Sequence, residues 1–181
     1  MNPEPLNEST PNENIGLERL QEPWKVNKPP KIRGALILVA VGLIFSLFQN
    51  LAYFFGGIAP IIRSTLWELY TNPGSPKFHP RWKLVLICDA LTATLILFWN
   101  IVMLVFFFRK KRVFPVMVAA SLPIIFLLIL GVHYLSGLIP AVAESPAYTK
   151  EGTALITKFI GLHIWIPYFL LSKRVAKTFV R

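Results

Sequence analysis

Four long apolar stretches constrain this chain more than any other feature. They run Gly34–Ile58, Leu84–Phe108, Val113–Ile139 and Thr153–Ser172. Each has about 20 residues or more, the length a helix needs to cross a hydrocarbon core of about 30 Å. A segment in lipid must satisfy its own backbone hydrogen bonds, so an isolated apolar stretch can only be helical there. The expected fold class is therefore all-α: a polytopic membrane protein with a four-transmembrane-helix bundle over residues 32–181. Hydrophobic residues make up 54% of the 181-residue chain. They gather into blocks, which overrides the single soluble domain that length alone would suggest. Pro123 and Pro167 fall inside the third and fourth blocks and are expected to kink those helices.

Residues 1–31 are of another kind. Pro3, Pro5, Pro11, Pro23, Pro29 and Pro30 interrupt a stretch rich in Asn and Glu. Such a segment buries too little apolar surface to offset the entropy of ordering, and a disordered tail is expected, with a marginal helical turn near Ile15–Leu20. The polar, acidic start has no charged n-region followed by an apolar h-region, so no cleavable signal peptide is expected and the first block serves as an uncleaved anchor.

The formal net charge is +10, from nineteen Lys/Arg and nine Asp/Glu. A balance of this kind suits nucleic acid or an anionic membrane surface. The cations flank the apolar blocks, at headgroup level, and no basic stripe carries interleaved aromatics in a soluble segment, so nucleic acid is not an expected partner. Their distribution sets an orientation. Arg19, Lys25, Lys28, Lys31 and Arg33 precede the first block; Arg109, Lys110, Lys111 and Arg112 join the second and third; Lys173, Arg174, Lys177 and Arg181 follow the fourth. Those thirteen face five on the other side, Arg63, Lys77, Arg81, Lys83 and Lys150. The positive-inside rule then places both termini and the Arg109–Arg112 tip in the cytoplasm, where anionic lipid attracts each cation by about 1 kcal/mol. The single cysteine, Cys88, sits in an apolar block. It excludes an intramolecular disulfide and reads as a small core residue.

The loop from Ala59 to Trp82 admits two readings. Ile61, Ile62, Leu66, Leu69 and Tyr70 lie near one face of a helix, as an interfacial amphipathic segment would have it. Trp67, Phe78 and Trp82 alternatively pack the loop as an aromatic belt. Asn72-Pro-Gly-Ser-Pro76 is a turn by composition. At the other end, Val175, Phe179 and Val180 fall near one helical face with Lys173, Arg174 and Lys177 around the other, an amphipathic end for the interface or for a cytoplasmic partner.

Two segments carry a resemblance. Phe106–Pro115 (FFFRKKRVFP) and Tyr168–Arg181 (YFLLSKRVAKTFVR) resemble the bacterial membrane family named "domain of unknown function 2569". That family has a Phe-Phe-x-Lys-type tip followed by Phe-Pro, and a closing Ser-x-Arg-Val-x-x-Thr-Phe-Val, matched here by Ser172, Arg174, Val175, Thr178, Phe179 and Val180. The resemblance covers Lys31 to Arg181 in layout. It implies four transmembrane helices and a bacterial inner-membrane address, and no reaction.

Ionisable groups inside membrane helices are the first functional suspects, because each is costly to keep there. Asp89 is the only aspartate in the chain. At about 1.5 Å per residue it lies about 9 Å below Lys83. His133 and Lys158 fall at similar depth, in the outer half, so an Asp89–Lys158 pair is expected, with His133 able to join it. Lys158 is also close enough to the interface to snorkel, and His133 has the simpler option of hydrogen bonding to a carbonyl or a Tyr. Asn100 shares the Asp89 face, with Thr92, Ala93 and Ile96 between them. Gly42, Ser46, Gln49 and Asn50 form a small-then-polar stripe on the first helix that is expected to meet that face.

No metal site is expected from Asp89, His133 and His163, since no HxxxH or CxxC spacing supports one. Ser46, Ser121 and Ser136 have no His at a signature spacing, and no phosphate-cradling glycine pattern occurs, so neither an enzyme nor a cofactor is expected. Two functions remain. One is a non-enzymatic accessory module that associates with membrane partners through its basic cytoplasmic ends. The other is a small oligomeric proton- or ion-coupled transporter built on Asp89.

Overall fold

A computed structural model describes residues 34–179; the tail and the helical turn expected near Ile15–Leu20 lie outside them. Every regular element among the described residues is helical. Four helices are long and apolar enough to span a membrane: α1 (Ala35–Arg63), α3 (Trp82–Phe108), α4 (Phe114–Gly137) and α6 (Pro146–Leu171). Short helices fill the connections: α2 (Thr65–Thr71), α5 (Pro140–Ala143) and α7 (Lys173–Thr178). Burial is inverted relative to a soluble protein. Leu38, Phe45, Phe48, Phe98, Leu127 and Ile164 are among the large apolar side chains that face outward, as a lipid environment requires.

The helix ends follow local chemistry. Helix α1 continues past Ile58 to Arg63, with a π-helical turn over Phe54–Ile58. There the Ala59 N–H donates to Phe54 O, five residues back. Pro60 explains the wide turn: it has no N–H to give the preceding turn, and its ring crowds the carbonyl four residues earlier. Ser64 then leaves helical geometry and its Oγ accepts from the Leu66 N–H at 3.2 Å, capping α2. The apolar face anticipated over Ile61–Tyr70 is thus split between two helices, and α2 buries no residue. Tyr70 packs on Trp82 with ring centroids 4.8 Å apart.

Helix α3 ends in a Schellman motif. Lys110 has φ +50°, its N–H reaches Phe107 O, and the Lys111 N–H reaches Phe106 O. Phe114-Pro115 then opens α4, with Pro where a missing N–H costs nothing. Helix α6 begins at Pro146, seven residues before Thr153, because Ser145 Oγ accepts from the Tyr148 N–H at 3.2 Å and Pro146 takes the first turn. Pro123 and Pro167 both lie inside their helices.

Helix α1 packs along α3, α3 along α4, and α4 along α6, whereas α1 and α6 are not packed along one another. The helices therefore form an arc with α1 and α6 at its edges. At the end bearing the basic segments, an aromatic core closes the arc. Leu36, Phe107, Phe114 and Val175 are fully buried there, with Phe169 and Phe179 against them. Phe114 stacks on Phe179 at 4.8 Å and meets Phe107 at 5.3 Å. The apolar face of α7 is thus used inside the protein, which corrects the expectation that it lies on lipid or waits for a partner. Lys173, Arg174 and Lys177 are exposed. The Arg174 guanidinium lies over Gly34, in the space a Cβ there would need, and Gly34 has φ +62°.

Candidate functional site: a mixed-charge cavity at the open end of the arc

Away from the aromatic core the arc does not close, and a cavity of about 480 Å³ lies among all four long helices. Its polar lining comes from Asn50 and Tyr53 on α1, Asp89 and Thr92 on α3, His133 and Ser136 on α4, and Glu151 and Lys158 on α6. Helical phase explains the α1 contribution: Ser46, Asn50 and Tyr53 follow at i, i+4 and i+7, one face of a helix.

Asp89 is half-buried and accepts a hydrogen bond from the Tyr53 hydroxyl at 2.7 Å. This contact joins α1 to α3. The partner expected for Asp89 was Lys158, and here the structure differs. Lys158 lines the same cavity, yet the two charges stand farther apart than the 4.0 Å of an ion pair. Lys158 is exposed where it lines the cavity, as the long, flexible stem of a lysine allows.

His133 is held on two sides. Its ring lies parallel to that of Tyr148, with centroids 4.1 Å apart and planes 8° apart. Its Nδ1 is 3.8 Å from Glu151 Oε2 and is buried without a hydrogen-bond partner among the described residues. The stack needs close approach: a Cβ on Gly137 would sit 2.7 Å from Tyr148 Cζ.

Asn100 lies deeper and does not line the cavity. Its Nδ2 donates to Ser46 Oγ, which itself donates to Leu43 O at 2.9 Å. The α1 and α3 faces therefore meet as anticipated at Ser46, and Thr92 and Ala93 are buried between helices. Gly42 and Gln49 face outward instead, because the contact stripe follows Ser46–Asn50–Tyr53. The basic residues stand apart from the cavity. Arg109, Lys110, Lys111 and Arg112 form the α3–α4 turn, and Lys173, Arg174 and Lys177 the outer side of α7. His163 is likewise remote, with Nδ1 3.0 Å from Phe159 O within α6.

Sequence reasoning passed over Tyr53 and Glu151. The signal for Tyr53 was present: extending the Ser46, Asn50 stripe by three residues reaches it. Glu151 precedes the fourth apolar block, and only the early start of α6 turns it onto the cavity.

These features define a class, the polytopic helical membrane protein with a polar cavity set between its spans. The model of the family described as "Protein of unknown function (DUF2569)" matches residues 29–180, and the chain belongs to that family. No curated protein and no solved structure matches the chain significantly.

Proposed function

We propose that this is a non-enzymatic, solute-binding bundle of the bacterial inner membrane in which Asp89 handles a coupled proton or cation. Both termini and the Arg109–Arg112 turn face the cytoplasm in this reading, supported by the cation count on the two sides. The cavity then faces the opposite compartment. The observation that carries the proposal is the Asp89–Tyr53 hydrogen bond at the wall of a cavity between spans. A carboxylate costs about 2.5–3.5 kcal/mol at the centre of a membrane helix, so one that lines a cavity marks a substrate or ion path by default. The aromatic core closes the arc at the basic end, which is the cytoplasmic side in this reading. Access from one side with the other sealed is the geometry of one state of an alternating-access carrier.

Proteoliposomes containing a trapped pH-sensitive dye test the reading. The protein should speed the decay of an imposed proton gradient when potassium and valinomycin clamp the potential. Asp89→Asn should return the decay to that of empty vesicles, and Tyr53→Phe should slow it at least several-fold. An Asp89→Asn protein as active as the wild type overturns the proposal.

A second reading, an accessory module docking at the cytoplasmic face, is favoured by one observation. The surface α7 turns outward is basic, with Lys173, Arg174 and Lys177 exposed. That surface suits anionic lipid headgroups or an acidic membrane-protein partner.

A further inference from the structure

The cavity carries both signs of charge, and its aspartate and its lysine do not pair with each other. Asp89 and Glu151 supply carboxylates, and Lys158 supplies an ammonium, all on one cavity of about 480 Å³. Opposite charges in a low-dielectric setting attract strongly and normally close on each other. Asp89 and Lys158 do not: Asp89 is engaged by Tyr53, and Lys158 lines the cavity as an exposed residue. His133 adds a buried Nδ1 that has no hydrogen-bond partner among the described residues. The volume lies in the range of small-molecule sites.

We infer that the cavity binds a small zwitterion, with its ammonium on Asp89 and its anionic group on Lys158. The inference rests on the solute-binding reading above and names its cargo. A cation alone would leave the Lys158 ammonium without an anionic partner, since Glu151 lies against His133 and Asp89 is held by Tyr53. An anion alone would face the carboxylates of Asp89 and Glu151. A molecule with an ammonium and an anion a few bonds apart satisfies each wall with the opposite sign. Two sources share this chemistry, a soluble zwitterion and the headgroup of an aminophospholipid entering between α1 and α6.

The full chain in lipid nanodiscs made only of phosphatidylglycerol tests this by isothermal titration with three probes: O-phosphoethanolamine, ethanolamine and inorganic phosphate. The zwitterion should bind at least tenfold more tightly than either half. Lys158→Gln should reduce it to the level of ethanolamine, and Asp89→Asn should abolish binding of both amines. In nanodiscs that also contain phosphatidylethanolamine, weakened binding of O-phosphoethanolamine assigns the site to the lipid headgroup, and unchanged binding assigns it to the soluble form. Equal affinity for ethanolamine and O-phosphoethanolamine, with Lys158→Gln silent, overturns the zwitterion and leaves the Asp89 reading standing. Failure of all three probes also overturns it. If proton decay is in addition unaffected by Asp89→Asn, the functional reading falls with it.

Discussion

Gly137 shows how one missing side chain shapes the cavity wall. Its Cβ position is taken by the Tyr148 ring tip, and that ring is stacked on His133. Tyr148 cannot swing aside without leaving His133, so Gly137→Ala should overpack the site and cost about 1–3 kcal/mol. Gly152 is the control. A Cβ there would meet His133 Nε2 at 3.5 Å, an ordinary contact. Thermal unfolding in detergent should show a lowered midpoint for Gly137→Ala and almost none for Gly152→Ala; equal shifts would remove the stack as the cause. At this scale the sequence is partly legible. Asp89 stands out because a charge in an apolar block is costly wherever it points. Tyr53 does not, because an aromatic in such a block has many apolar explanations. Its role depends on a neighbour 36 residues away. The separation of Asp89 from Lys158 was hidden for the same reason: equal depth along two helices does not set the distance between them.

Helix α7 is the element whose role changed most between sequence and structure. Its six residues alternate faces as an interfacial helix would. Ser172 supplies the break, with extended geometry that ends α6 and a hydroxyl that caps the next helix. The turn folds Phe179 onto Phe107 and Phe114, and leaves Val175, Thr178 and Phe179 almost fully buried. Phe179→Ala should therefore behave as a core truncation and cost about 3–5 kcal/mol. Lys177→Ala should leave the unfolding midpoint unchanged, since Lys177 faces outward. Chemical denaturation in mixed micelles separates the two; a silent Phe179→Ala would mean that α7 only rests on the membrane surface. Amphipathicity was readable in the sequence, but whether an apolar face meets lipid or protein was not. Both are equally apolar surroundings, and only the turn at Ser172 decides between them.

The whole molecule is an arc held at one end and open at the other. Four spans put Gly34 and α7 at the same end, where Arg174 covers Gly34, and put residues 64–81 at the opposite end, where the Arg81 guanidinium donates to Leu138 O at 2.9 Å. Reporter fusions at Asn72 and at Arg181 should accordingly report opposite sides of the membrane, with Arg181 cytoplasmic; a shared side would overturn the topology. Span number, helical state and the charge asymmetry were determined by the sequence alone. They depend on local length and apolarity, and on where the cations flank the apolar blocks. Only the tertiary structure decided that α1 and α6 stay apart, that α7 folds inward, and that Tyr53, Asp89, His133, Glu151 and Lys158 surround one cavity. Lipid is as apolar as the helix surfaces, so apolar patterning cannot choose helix neighbours. That choice falls to small residues, side-chain hydrogen bonds and aromatic packing, which act across the chain rather than along it.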